Sequence, residues 1–442
     1  MPSAKLGVPS LPRLATVFSS MKTRRDLLRT GSAASLPLLL SSRVQAQDPD
    51  KQDSSPIKIG LIGCGGRGTG AAVQALQADP GVILWSVADA FPEALPRALN
   101  HLSRFEKRIQ APPARQFSGL DSFQQLIDSG VDVVLLGTPP AFRPQHLQAA
   151  IEAGKHVFAE KPVAVDMHGV HSVIQSARLA ERKGLSIQHG FCWRFHPGTR
   201  EAYGKVLAGD FGKVISIYGT YLANPVKPLS EKSSGMSSLE WQIRNWVNFD
   251  WLGGGPLVEQ CIHTVDKVAW AMGDIEPVAV VATGGRLQKE DASNIFDHYQ
   301  VAYEYPNGLI AHVGQRQLLG CHQEVIDRIH CTDAILHAPG RCFAKDHSGK
   351  TIWRSRPKKG VEQNMYQVCH NEFFSVLRRG GVVNSGEFMA RSTALGLFGR
   401  EAAHTGQRLT WEDFWNSKQD LAPEMTALDQ DFPVPPIPTP GV

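Results

Sequence analysis

Glu259, His263 and Asp266 stand at i, i+4 and i+7 within residues 251–270, WLGGGPLVEQCIHTVDKVAW. On a single helix they share one face, because side chains three and four residues apart stack along the axis. A histidine beside two carboxylates can serve as a general base with an orienting partner, as part of a metal site, or as a hydrogen-bonded patch between domains. Leu257, Cys261, Ile262, Val265 and Val268 fall on the other face and suit burial. Gly253, Gly254 and Gly255, followed by Pro256, read as a turn entering that helix, since proline is tolerated in a first helical turn.

A second chemical signature lies upstream. Residues 57–62, IKIGLI, form a short apolar run suited to a buried parallel strand, and they lead into Gly63-Cys64-Gly65-Gly66-Arg67-Gly68. This satisfies the GxGxxG spacing and opens an alanine-rich helix over 71–77. In such a motif the first glycine makes the tight turn and the second admits a pyrophosphate close to the backbone. The third lets the helix pack on the strand, and the helix N-terminus faces the phosphate charge. Another strand, 82–88, ends at Asp89, roughly twenty residues past Gly68, where a carboxylate bonds the adenosine ribose hydroxyls and repels a 2′-phosphate. NAD is therefore expected in preference to NADP.

A third strand, 131–136, stops at Gly137-Thr138-Pro139-Pro140, and a helix carrying His146 follows. Residues 154–158 then lead to Glu160-Lys161-Pro162 at a further strand end. Ligands gather at the carboxyl ends of such strands, which places Lys161 within reach of a nicotinamide ring. The expected cofactor contacts are Gly63, Gly65, Gly66, Arg67, Gly68, Asp89, Thr138, Pro139, His146, Glu160 and Lys161.

The 442 residues, 42% of them hydrophobic, can bury a full core, and the length suits two domains. With 46 basic and 42 acidic side chains spread along the chain, nucleic acid is not an expected partner. The seven cysteines are odd in number and lack CxxC pairs, so no disulfide framework is implied. No metal site is expected: Cys321-His322 and His330-Cys331 lie where strand alternation points neighbours to opposite faces. Near the N-terminus, Arg24-Arg25 precedes an apolar run at 33–40 that is too short to span a membrane, and Val44-Gln45-Ala46 has the character of a cleavage site. Residues 1–46 thus resemble a twin-arginine export signal, implying a periplasmic or otherwise exported protein, with 47–56 as a linker.

Taken in order, GLIGCGGRG, the strand ending in Asp89, GTPP followed by His146, AGKHVFAEKPVAVD, WRFHP, GGGPLVEQCIHTVD and GEFMARSTALGLFGREAAHTGQRLTW resemble the glucose-fructose oxidoreductase and inositol dehydrogenase family, Gfo/Idh/MocA. The likeness runs from about Lys58 to Trp411. It implies an α/β N-terminal Rossmann domain, here 57–180, and an α+β C-terminal domain, 181–420, built on a large, mostly antiparallel open sheet whose outer face makes homo-oligomer contacts. It also implies a late helix, 386–404, that packs back on the first domain, ahead of a Pro-rich tail at 421–442. Read from the residues alone, 214–221, 278–284, 299–305, 309–315 and 325–331 are strands and 305–309 is a hairpin turn.

The resemblance further implies that Lys161, Glu259 and His263 carry catalysis. A histidine, with a reference pKa of about 6.5, suits a general base near neutral pH, and Lys161 would stabilise a developing alkoxide. Asp266 would orient the imidazole, bond the substrate or make a structural hydrogen bond. Glu259 departs from the family pattern, which has Asp there. Trp193-Arg194-Phe195-His196-Pro197 and Arg244-Asn245-Trp246 set aromatic faces beside hydrogen-bonding groups, as a sugar or cyclitol requires. The expected substrate contacts are therefore Trp193, Arg194, His196, Arg244, Trp246 and Asp266. The stretch 224–239, rich in Pro, Lys and Ser, reads as a loop that is either a lid or disordered. The expected function is exported, NAD-dependent hydride transfer between the nicotinamide and a secondary alcohol of a sugar, glycoside or cyclitol. Two alternatives stand beside it: redox-neutral glycoside cleavage by oxidation, elimination and reduction, and non-catalytic sugar binding.

Overall fold

The computed structural model describes residues 55–442 apart from 289, 290, 424 and 426, so the expected export signal and most of the linker lie outside the described residues. The strands β1 (Ile57–Ile62), β2 (Val82–Asp89), β3 (Gln116–Ser118), β4 (Val133–Leu136), β5 (His156–Ala159) and β6 (Ile187–His189) form one sheet in the order β3-β2-β1-β4-β5-β6. Every neighbouring pair is parallel. Crossover helices cover both faces of such a sheet, which is why its strands read as unbroken apolar runs; Val-Val-Leu-Leu of β4 is buried throughout. The crossovers are α1 (Gly66–Ala78), α2 (Ala94–His101), α3 (Ser122–Asp128), α4 (Arg143–Glu152) and α5 (Met167–Lys183). Strand order reverses between β1 and β4, and the crevice outside their carboxyl ends is the natural ligand site of this topology. The three-residue β6 carries the sheet past the boundary at residue 180 that the sequence suggests, being too short to give a periodic signal.

After α6 (Pro197–Ala208) comes β7 (Val214–Ala223), the first strand of a nine-stranded sheet. Its other members are β8 (Ala279–Gly285), β9 (His298–Glu304), β10 (Ile310–Gln317), β11 (Glu324–Cys331), β12 (Ala334–Ala338), β13 (Phe343–Asp346), β14 (Thr351–Arg354) and β15 (Leu409–Thr410). The order is β14-β13-β12-β11-β7-β10-β9-β8-β15, antiparallel except where β7 meets β10. α7 (Ser238–Arg244) and α8 (Asp250–Gly253) form a separate apolar cluster, and after them α9 (Gly255–Glu259), α10 (Ile262–Ala271) and the almost wholly buried α12 (Gly386–Thr405) pack on one face of the sheet. α11 (Met365–Arg378) returns to α1, where Arg378 pairs with Asp79 at 2.8 Å. α12 reaches the β5–α5 connection, with Arg400 donating to the Val165 carbonyl at 2.8 Å and Thr393 Oγ1 accepting from the Val163 amide at 3.2 Å. The short α13 (Trp411–Trp415) follows β15. No helix among the described residues is long and apolar enough to cross a membrane.

The stretch after the expected glycine turn is not one helix, contrary to the reading of the 259, 263, 266 spacing. Gly254 and Gly255 both have left-handed backbones, with φ of 80° and 78°, and separate α8 from α9. A second break follows Glu259, where the Cys261 amide reaches back to the Pro256 carbonyl at 3.0 Å in a wide turn before α10 begins. Glu259 and His263 therefore stand on different helices, and only His263 and Asp266, three residues apart, share α10.

Candidate functional site

At the carboxyl end of β1 the chain turns at Gly63, whose φ is 91° and whose amide donates to the Ala88 carbonyl at 2.9 Å. Gly68 lies so close beneath that turn that a Cβ there would sit 1.9 Å from the Gly63 carbonyl oxygen. Both glycines are therefore required by the backbone, and they leave the first amides of α1 facing open space. That space is a cavity of ≈680 Å³ lined by Gly63, Gly65, Gly66, Asp89, Thr138, Pro139 and His146, among others. The turn, the helix N-terminus and the cavity's size fit a dinucleotide.

Asp89 holds the loop in place: its Oδ2 accepts from the Cys64 amide at 2.7 Å and its Oδ1 from the Phe91 amide at 3.0 Å. Burial pushes the Asp89 carboxyl above its ordinary value, against the pull of those amides. His146 is packed against Phe123 and Phe142, and its Nδ1 lies 3.3 Å from Thr138 Oγ1. Burial, reinforced by Arg143, brings its pKa down to about 3, so the ring is neutral. Four expected cofactor contacts, Arg67, Gly68, Glu160 and Lys161, do not line this cavity. Arg67 Nε is 3.0 Å from Glu160 Oε1, and the guanidinium covers the Tyr366 ring at 4.5 Å; neither Arg67 nor Glu160 lines the cavity. Their charges are matched to each other instead.

The reacting end is built where β5 stops. Lys161 Nζ donates to the Glu259 carbonyl at 2.5 Å and to its Oε1 at 3.1 Å, which ties the first domain's strand end to the C-terminus of α9. One turn on, His263 faces the edge of Phe191, and among the described residues its ring makes no hydrogen bond. Burial, then the positive charges of Lys161 and Lys267, holds its pKa well below the ordinary histidine value. A neutral imidazole with open nitrogens and an ammonium group on one wall can together accept a proton and stabilise oxyanion charge. Tyr221 on β7 joins this wall: burial first, then Glu259, raises its phenol to about 12. Gln317 on β10 lines a small cavity beside Glu259 and donates to Gln260 Oε1 at 2.8 Å. Sequence reasoning missed both. The signal available was strand alternation, since each lies two residues from buried inward-facing neighbours, Gly219 and Gln315.

Arg194 and Asp266 do not reach this wall. The guanidinium spans Asp266 at 2.9 Å and Asp274 at 2.6 Å, and Asp266 also accepts from Ser392 Oγ at 2.8 Å. Asp266 is 1% exposed and Arg194 12%, so their polar atoms are spent on one another and on the fold. Asp266 consequently does not orient His263. His196 caps α6 through Nδ1, which accepts from the Thr199 amide at 3.1 Å. Trp193 packs edge-on against His196 and lies 5.4 Å below Lys267 Nζ. Arg244 and Trp246 line the dinucleotide cavity rather than the Lys161 wall, together with Lys227 and Ser230 of the 224–239 stretch.

Comparisons with known proteins bear on the whole arrangement. Residues 57–191 match the Gfo/Idh/MocA profile described as an oxidoreductase family with an NAD-binding Rossmann fold, and residues 199–337 match its C-terminal domain. The chain is 26% identical over 230 residues to dTDP-3,4-didehydro-2,6-dideoxy-alpha-D-glucose 3-reductase of Actinomadura kijaniata, covering 52% of this chain and 60% of that protein. It is 24% identical over 183 residues to a glycosyl hydrolase family 109 protein of Streptomyces coelicolor, covering 39% and 38%. The chain thus spans about half the length of the curated relatives it matches. Among solved structures, levoglucosan dehydrogenase in complex with NADH and levoglucosan shares the fold with a TM-score of 0.63 at 21% identity, over 80% of this chain and 99% of that one.

Proposed function

The chain belongs to the Gfo/Idh/MocA oxidoreductase family, and from that premise we propose that it moves hydride between NAD and a secondary alcohol of a sugar, glycoside or cyclitol. The observation that carries this reading is the pairing of Lys161 with Glu259 beside a neutral, unbonded His263, at the strand end next to the dinucleotide cradle. When bound, NAD supplies the two-electron acceptor. Lys161 holds the substrate oxygen and stabilises its charge, and His263 takes the hydroxyl proton on an imidazole nitrogen. Glu259, contacting Lys161 through both its carbonyl and its carboxylate, fixes where the ammonium sits.

The test is to denature the purified protein, identify any released nucleotide, and follow NADH absorbance across a panel of sugars, glycosides and cyclitols. Lys161→Ala and His263→Ala should each lower turnover by about 10²–10⁴-fold while the nucleotide is still bound. Absence of any dinucleotide, or unchanged turnover in both variants, overturns the reading. Sugar binding without turnover in the parent protein would point to the non-catalytic alternative. The relative named as a glycosyl hydrolase supports a second reading, redox-neutral glycoside cleavage. Release of aglycone without accumulation of NADH would favour it.

Export by the twin-arginine route is proposed from residues 1–46, with signal cleavage after secretion as its readout. Homo-oligomerisation is proposed from the outer face of the nine-stranded sheet, where register aligns Val281, Ala302, His312 and Tyr218 in one row and leaves Val281 and Tyr218 exposed. Light scattering on the parent and on Tyr218→Lys would check it, the variant being expected to dissociate.

A further inference from the structure

The helix α7 is only seven residues long, too short to hold its shape unaided, yet Ile243 and Arg244 on it and Trp246 beyond it line the dinucleotide cavity. Its stability has to come from what it packs against. On the side away from the cavity lies the tail expected only to be Pro-rich. Ser237 Oγ donates to the Leu428 carbonyl at 2.5 Å, Ser238 Oγ donates to Asp431 and accepts from the Phe432 amide at 2.7 Å, and Gln242 Nε2 donates to the Phe432 carbonyl at 2.7 Å. The Phe432 ring meets Trp251 edge-on at 5.2 Å, within an apolar cluster that includes Leu239, Trp241 and Phe249. The root of the tail is fixed to the first domain: the Leu421 amide donates to Asp166 Oδ2 at 2.8 Å, while Oδ1 of the same carboxylate caps α5.

On the cavity side α7 is latched to the first domain. The Arg244 guanidinium lies 3.7 Å from the Phe91 ring centre and pairs with Glu93 at 2.6 Å, just past the strand end that carries Asp89. The helix is therefore gripped from both sides, by a latch at the rim and by a strap behind it.

We propose that residues 428–432 of the tail, rooted through Leu421, are a strap that holds α7 as the outer wall of the dinucleotide cavity, making Phe432 and Arg244 positioning residues for cofactor retention. The inference rests on the reading that this cavity takes NAD. Release then requires α7 to lift, so the strap sets the lifetime of the bound nucleotide more than it sets the rate of entry.

The experiment loads the full chain with NADH, chases with excess NAD and follows the loss of bound-NADH fluorescence. A chain ending at Asp420 and the Phe432→Ala variant should each release NADH at least about tenfold faster, with a smaller change in the association rate. Phe432→Leu, which keeps apolar packing against Trp251, should recover most of the slow release. Arg244→Ala should accelerate release independently. Phe432→Ala carries the test if the shortened chain does not fold. Release at the parent rate from a folded Phe432→Ala protein overturns the strap. Failure of the parent protein to bind NADH at all overturns the NAD reading, and the strap's proposed role with it.

Discussion

At the residue scale, the proposed base is set by its surroundings rather than by its type. An ordinary histidine titrates near about 6.5, but burial, Lys161 and Lys267 all disfavour the imidazolium of His263. The active form of a general base is the unprotonated one, so a lowered pKa extends activity to lower pH. The acid limb of kcat/KM should therefore lie below the ordinary histidine range. In Lys161→Met one of the two cations is lost, and the His263 titration followed by NMR should move up, while burial, the largest cause, keeps it below the ordinary value. A parent acid limb near 6.5, with no movement of the imidazole titration in the variant, would count against His263 as the base. Glu259 is informative in the same way. Its longer side chain lets the carboxylate curl back to the lysine that already bonds its main-chain carbonyl, a double contact that spacing alone does not reveal.

At the element scale, the catalytic stretch is organised by the glycine pair at 254 and 255. An alanine at 255 would adopt φ near 78° and place its Cβ 2.7 Å from Asp250 Oδ1, so both strain and a clash are expected. Gly255→Ala should lose about 2 kcal/mol or more of stability and lower kcat more than NADH affinity, because α9 carries Glu259 while the cradle is separate. Gly308→Ala is the control: its φ is 78° and nothing lies within 4 Å, so denaturant melts should show the strain alone, about 1 kcal/mol. Equal losses in the two variants would mean that the contact with Asp250 does not matter. The parallel strands and the glycine cradle were legible because each rests on a local rule, a short apolar run ending in glycine. The break between Glu259 and His263 was not, since the run 257–268 looks helical throughout and the turn is imposed by packing. Arg194 and Asp266 were misplaced for a related reason: their types are those of a polar site, but the partner that completes the cluster, Asp274, sits across the fold at 2.6 Å. Strands β12, β13 and β14 are four or five residues each, too brief for alternation to stand out.

At the scale of the whole molecule, burial of neutral histidines in both domains makes stability depend on pH. His146, His189 and His404 are brought down to about 3 and His370 to about 4, in each case by burial first, and His263 is lowered too. Between those values and the unfolded value of about 6.5, the unfolded chain binds protons that the folded chain refuses, so each group costs about 1.4 kcal/mol per pH unit as pH falls through that window. Asp250 acts in the opposite sense. Burial raises its carboxyl to about 7, it lies 3.8 Å from His404 Nε2, and it binds its proton in the folded state where the unfolded chain has released it. Asp89 and Asp266, also raised by burial, work in the same direction as Asp250. Among the described residues the lowered imidazoles outnumber the raised carboxyls, so unfolding at pH 5 takes up protons on balance. The melting temperature should therefore fall steadily from pH 6.5 to 4.5, and calorimetry in buffers of different ionisation enthalpy should register that uptake. His404→Gln removes one buried imidazole while keeping a polar group beside Tyr299, whose hydroxyl lies 3.1 Å from the His404 ring. That variant should flatten the slope by close to one proton. A flat melting profile across this range, or proton release at pH 5, would show that the buried histidines are not held neutral.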